Sequence, residues 1–195
     1  TERYVYGFTL ESFYTRLDDA FYQDPSGEDA FGAIFIKKNG AGATVKGVTL
    51  EFRANLYRKL QIESGFTLQE ALYDQAVSYA DGLEKKQEFL RTPTKYGYTT
   101  LSYIPSDKFS FSANLVHTGE MSLVHLEGAP EQSKDEYLTS KAFNVIGVKA
   151  TYSQSLKRVG VKLEYSLGVK NLTNAYQDSF DTLKNRDSNF IYGPS

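Results

Sequence analysis

From residue 48 to residue 56 the chain reads Val-Thr-Leu-Glu-Phe-Arg-Ala-Asn-Leu, with every even-numbered position apolar and every odd one polar or charged. A period of two sends successive side chains to opposite faces of an extended strand, so this segment cannot bury its apolar residues as a helix. Residues 60–69 repeat the rule, with Leu60, Ile62, Phe66 and Leu68 on one face and Gln61, Glu63, Thr67 and Gln69 on the other. Only Tyr57, Arg58 and Lys59 separate the two segments, which predicts a tight hairpin. The alternation returns over residues 161–170, and less cleanly over 4–17, 96–103, 109–118 and 143–152. The stretch 34–56 reads as one long strand, kinked or bulged at Gly40 and Gly42. The fold expected is all-β, an antiparallel up-and-down meander of about seven long strands.

The connections are sorted by length. Residues 57–59, 105–108 and 153–158 form short links, whereas 18–33, 74–94 and 120–141 are long and polar, and the two kinds alternate strictly. In an antiparallel meander every second turn lies on the same rim, so one rim is trimmed and the other elaborated, as in transmembrane barrels. Alternation alone does not say whether the apolar set faces lipid or the core of a soluble sandwich. Strand length favours lipid. Residues 48–56 and 161–170 give nine and ten alternating positions, close to the ~9 to 11 of a tilted membrane strand and above the five or six typical of globular ones. A soluble all-β ligand-binding domain remains the alternative on pattern.

Composition excludes several classes of function. The 22 Lys and Arg against 24 Asp and Glu leave a net charge of -2 and no basic footprint, so nucleic acid is not an expected partner. There is no Cys, hence no disulfide framework, thiolate metal site or cysteine nucleophile. No apolar run reaches the ~20 residues of a membrane helix, and Thr1-Glu2-Arg3 offers neither an initiator Met nor a signal segment, so an excised piece is expected. The 15 Tyr and 13 Phe suit pleated surfaces. A mean hydropathy of -0.44 agrees with barrel strands, which show lipid only every second residue.

Gly168-Val169-Lys170-Asn171-Leu172-Thr173-Asn174-Ala175-Tyr176 resembles the penultimate-strand signature of TonB-dependent outer-membrane receptors, a G-V-x-N-L-x-[ND] strand followed by a loop. Asn185 to Ser195 is similar to the lead-in to the last strand in receptors of the Bacteroides type. Tyr14-Thr15-Arg16-Leu17-Asp18-Asp19-Ala20-Phe21 and Lys46-Gly47-Val48-Thr49-Leu50-Glu51 resemble the family's rising strand with an acidic end and its descending G-V-x-x-E strand. The resemblance implies that residues 1–195 are the C-terminal segment of a ~22-stranded plugged barrel, short of its closing strand, with the plug domain and TonB box absent. It also implies an outer-membrane location, contact with membrane lipid, a TonB complex acting through the missing N-terminal parts, and a small-molecule or chelate ligand such as a ferric siderophore, haem or corrinoid. A passive porin or adhesin barrel is the alternative of the same architecture.

The pattern places Thr49, Glu51, Arg53, Asn55, Gln61, Glu63, Thr67, Lys162, Glu164 and Lys170 on the lumen side. Leu50, Phe52, Leu56, Ile62, Phe66, Leu163, Tyr165 and Leu167 are expected to face lipid, with Tyr57, Tyr103 and Tyr152 in an aromatic belt near the short turns. In the family, ligand contact comes from the plug and long loops, which implies residues 78–90, 126–140 and 177–190. Their candidate contacts are Tyr79, Phe89, Tyr137 and Phe180, with His125 just before the second loop. His117 and His125, with Glu120 and Met121 between them, match no metal-ligand spacing. Asp18-Asp19 reads as a turn-forming pair, and nothing assembles a nucleophile with a base, so neither a catalytic residue nor a cofactor is expected.

Overall fold

The computed structural model describes residues 3–30, 32–182 and 186–194. Seven long strands form the wall: β1 (Tyr4–Leu17), β4 (Ala43–Leu56), β5 (Leu60–Val77), β7 (Lys95–Ser106), β8 (Phe109–Thr118), β11 (Phe143–Leu156) and β12 (Val161–Val169). They pair antiparallel in that order, an uncrossed meander whose outer edges at β1 and β12 do not meet. The remaining strands are short and lie in the long connections: β2 (Phe21–Asp29) with β3 (Gly32–Asn39), β6 (Lys86–Glu88) beside β5, and β9 (Ser122–His125) with β10 (Glu136–Thr139). The seven-stranded meander and the alternation of short and long connections are as the sequence predicts.

Two expectations are corrected. Residues 34–56 do not form one strand. The chain turns a corner between Asn39 and Ala43, and β3 leaves the wall to pair with β2 in a separate two-stranded sheet. Gly42 makes that corner with φ at +126°, and a Cβ there would lie 2.9 Å from the Leu17 carbonyl oxygen, so a side chain is excluded by both torsion and space. The glycines therefore mark a change of sheet, not a bulge within a strand. For the same reason residues 18–33 are not wholly loop but carry β2. Strand ends also move: β5 runs on to Val77, and β7 and β11 continue to Ser106 and Leu156, narrowing the turns after them. Pro105 is accommodated because the β7–β8 register shifts between Tyr103 and Ser106, a bulge at which proline's missing N–H costs nothing.

The strict pairing Leu50↔Phe66, Arg53↔Glu63 and Thr49↔Thr67 confirms that the period of two sets the register. The apolar face of the wall is uncovered, and Tyr6, Phe8, Leu10 and Leu167 stand open, the last 80% exposed. Most of the buried side chains sit instead at the long-connection end, among them Leu123, Val124, Ala129, Phe143, Phe190, Ser140 and Gln177. Long connections can bury apolar surface only by folding on themselves, and here they do so as hairpins.

Candidate functional site

The wall has two chemically distinct faces. On one, Arg53 reaches Glu63 across the β4–β5 pair at 3.2 Å and Glu51 along its own strand at 3.3 Å, and Thr49 bonds Thr67 at 2.9 Å. The strand registers carry the same face across to β12, where Lys162 lies 2.7 Å from Glu164 and Ser153 donates to Glu164 at 3.2 Å. The five charged residues singled out from sequence thus share one face but form two separate groups, Glu51–Arg53–Glu63 and Lys162–Glu164.

The opposite face is an apolar band with marked limits. At the short-turn end Tyr4 and Tyr57 meet through their hydroxyls with ring centroids 4.9 Å apart, and Phe109 packs on Tyr152 at 5.1 Å. Tyr57 and Arg58 both take positive φ, the left-handed pair that closes a two-strand hairpin with the right twist. At the long-connection end the band stops at charged or polar pairs: Lys46–Glu70 at 2.8 Å, Arg16–Asp74 at 2.9 Å, and His117 with Asn144 at 2.8 Å. Tyr4 and Tyr14 bracket the band on β1, ten residue steps apart. At ~3.4 Å per step and a tilt of ~40° these climb about 26 Å, against ~25 Å for the apolar belt of an outer-membrane barrel.

Above the wall, the long connections build a pocket of about 490 Å³ lined by Phe21, Tyr22, Gln23, Lys37, Tyr73, Tyr79, Phe89 and Leu90. Tyr73, at the upper end of β5, holds it together. Its hydroxyl donates to the Phe21 carbonyl at 3.1 Å, its ring packs on Phe89 at 4.3 Å, and Tyr22 meets it edge-on at 6.5 Å. Behind these rings the Tyr79 hydroxyl donates to the Glu88 carbonyl at 2.6 Å, and the Tyr137 hydroxyl donates to the Glu84 carbonyl at 2.7 Å. Burial, then the neighbouring Tyr73, pushes the Tyr79 phenol well above its ordinary range, and burial followed by the Glu84 carboxylate raises Tyr137. Lys86 lies 4.1 Å above the Tyr137 ring, close enough for a cation–π contact.

Of the candidates named from sequence, Tyr79 and Phe89 line this pocket and Tyr137 packs edge-on against Tyr79 at 6.4 Å. Phe180 stands apart, 60% exposed on the C-terminal segment. His125 is corrected: only 6% exposed, it is enclosed and offers no ring face to a ligand. Its Nε2 meets both carboxylate oxygens of Asp181 at 2.8 and 3.0 Å, and its ring stacks on Phe190 at 3.8 Å. Asp181 also accepts the Asp187 N–H, and Asp187 accepts the Leu126 N–H. These bonds tie the C-terminal segment down onto β9. Sequence gave no means of finding Asp181 as the partner, since it lies 56 residues away. It equally missed Phe21, Tyr22, Lys37 and Tyr73, which reach the pocket only because β3 leaves the wall. Among the described residues no three His, Asp or Glu converge on a metal position.

A seven-stranded antiparallel wall, apolar on one face and polar on the other, trimmed at one rim and elaborated at the other, is a segment of an outer-membrane β-barrel. The family profile described as TonB dependent receptor-like, beta-barrel matches residues 3–172, and the chain belongs to that family of outer-membrane proteins. No curated protein matches the chain in sequence. Among solved structures it is similar to the ferric-catecholate import receptor Fiu from E. coli in its closed form, with a TM-score of 0.56 and 20% identity. That match covers 89% of this chain but 21% of the receptor, so the chain spans about a fifth of that protein's length. At this identity the likeness is one of fold.

Proposed function

We propose that this chain is the C-terminal part of the barrel wall of a receptor that imports a scarce nutrient across the outer membrane with energy delivered through TonB. The observation that carries the reading is the division of the wall: an apolar band of membrane height on one face, a charged face behind it, and a packed aromatic pocket on the elaborated rim. In this reading the apolar face meets lipid, and Glu51, Arg53, Glu63, Lys162 and Glu164 line the lumen. Pairing Arg53 with two carboxylates and Lys162 with one limits the unbalanced charge that the lumen wall presents. Tyr79, Phe89, Tyr137 and Phe180 belong to the mouth, and His125 holds the cap in shape. The plug and the segment that contacts TonB lie elsewhere in the whole receptor.

The nutrient is a ferric siderophore, haem or a corrinoid; the solved receptor of like fold is named for ferric-catecholate import. The chemistry required is capture and passage, so no residue is given a catalytic role. The test is growth of a strain deleted for the whole gene on each nutrient in turn as the limiting source, with complementation in hosts with and without TonB. Growth restored only by the intact gene and only with TonB is the expected result. Restoration independent of TonB would mean a passive porin, and no growth phenotype on any of the three would remove the import reading.

A further inference from the structure

Resting on the lipid-facing reading of the wall, we infer that the basic turns of the trimmed rim hold the phosphate headgroups of anionic phospholipids. Charge is divided along the height of the wall. The long connections, residues 18–42, 78–94, 119–142 and 170–195, carry 16 Asp and Glu against 10 Lys and Arg. The short turns reverse the sign: residues 57–59 carry Arg58 and Lys59, residues 157–160 carry Lys157 and Arg158, and neither turn contains a carboxylate. Between them the β7–β8 turn sets Asp107 beside Lys108 and borders a polar pocket on the charged face, so the two outer turns carry the assignment.

The cations of the two rims are used differently. On the long-connection rim Arg16, Lys38, Lys46 and Lys141 are each matched to a carboxylate, Asp74, Asp24, Glu70 and Asp178 in turn. Arg58, Lys59, Lys157 and Arg158 are exposed and take part in no side-chain ion pair among the described residues. Their depth favours lipid over an acidic protein. Leu56 and Leu156 end β4 and β11, and the cations follow within three residues, about 8 Å below the apolar band at ~3.4 Å per residue and ~40° of tilt. Tyr57, whose ring meets Tyr4, lies in the first turn itself, so the cations stand at the level just beyond the aromatic belt, where headgroups lie. Long basic side chains rest their stems on apolar surface and carry the charge to the phosphates. Val159, 67% exposed between Arg158 and Gly160, adds an apolar contact that plain water does not favour. The turns are flat and brief, with nothing concave to grip a folded partner. Four strands at ~4.8 Å separate the two turns by about 19 Å, beyond the ~8 Å reach of charge at physiological ionic strength. Each pair of cations is therefore a site of its own.

The test uses the whole receptor in vesicles of phosphatidylcholine and phosphatidylglycerol in equal parts, with a bimane fluorophore on Val159→Cys as its sole reactive cysteine. A nitroxide near the glycerol of one lipid or the other quenches the fluorophore according to which lipid sits at the turn. Phosphatidylglycerol is expected to be preferred about fivefold or more, since one basic side chain at an anionic surface is worth about that factor. Replacing both Lys157→Gln and Arg158→Gln should bring the preference close to unity, whereas Arg58→Gln with Lys59→Gln, at the separate turn, should leave it unchanged. Equal quenching by the two lipids in the otherwise wild-type receptor, or a preference that survives loss of Lys157 and Arg158, would overturn the inference. Two further outcomes would overturn it by naming another occupant: reversal by inorganic phosphate beyond that caused by chloride at equal ionic strength, or equal lipid quenching together with capture of poly-glutamate. Thermal melting by circular dichroism establishes that each variant is folded. If the fluorophore is quenched by neither lipid while Leu50→Arg is tolerated, the lipid-facing reading itself fails; quenching without preference refutes this inference alone.

Discussion

Placing an arginine at Leu50 of the apolar face tests the orientation of the wall. Leu50 lies six residues above Leu56 on β4, opposite Leu10 and Phe66. At ~3.4 Å per residue and ~40° of tilt it stands about 16 Å above the lower limit of a band about 26 Å high, within about 3 Å of the midplane. An arginine on the lipid face near that depth costs ~2 to 4 kcal/mol, whereas close to the interface the cost falls to ~0 to 1. Leu56, at the band's lower edge, supplies the interfacial comparison on the same strand. Thr9, the register partner of Glu51 on the charged face, supplies the other control, since an arginine there meets a carboxylate in an exposed setting. The assay is reversible denaturant unfolding of the whole receptor in phospholipid vesicles, followed by tyrosine fluorescence. The expected order is a large loss for Leu50→Arg, a small one for Leu56→Arg and within about 0.5 kcal/mol of wild type for Thr9→Arg. A protein core punishes a buried arginine without regard to depth. Equal losses at Leu50 and Leu56, or a loss below ~1 kcal/mol at Leu50, would therefore refute the lipid-facing assignment.

Other perturbations probe the site and its supports. Tyr98 lies across Gly65, and a Cβ there would fall 2.6 Å from the ring, so Gly65→Ala is expected to destabilise by ~1 to 3 kcal/mol through overpacking, measured by the same unfolding assay. Asp181→Asn leaves the enclosed His125 with a weaker partner, and limited proteolysis should then cut the C-terminal segment faster while leaving the wall strands protected. The Tyr79 phenol has a folded-state pKa raised above its unfolded value near 10. Its contribution to stability is accordingly complete below that value and is lost as pH climbs through the folded pKa. Titration of phenolate absorbance should show one late-ionising tyrosine fewer in Tyr79→Phe than in the wild-type receptor. If the two curves superimpose, burial of Tyr79 is wrong.

Much of the wall was legible in the residues themselves. The alternation over residues 48–56 and 60–69 dictates both the strands and their register, because a slip of one residue would exchange the two faces completely. The turn at Tyr57 to Lys59 follows from that register, since β4 and β5 pair down to Leu56↔Leu60. Connection lengths sorted the two rims. The strands run past the ends that local sequence implies near Asp74, Pro105 and Ser153, because pairing, not local propensity, decides where a strand stops: β5 continues to Val77 alongside β6, and a bulge admits Pro105.

What the sequence alone determined is therefore everything set by nearest neighbours along the chain: a sheet with two unlike faces, its strand order and the division of charge between faces. What only the tertiary structure decided is the cap. The corner at Gly42 turned an expected strand into a hairpin over the rim and brought Tyr22 beside Tyr73, and at a separate place the C-terminal segment closed Asp181 onto His125. The physical reason is that alternation reports the environment of each residue averaged over a face, whereas a pocket is made by segments 40 to 60 residues apart, whose meeting leaves no periodic trace in the chain.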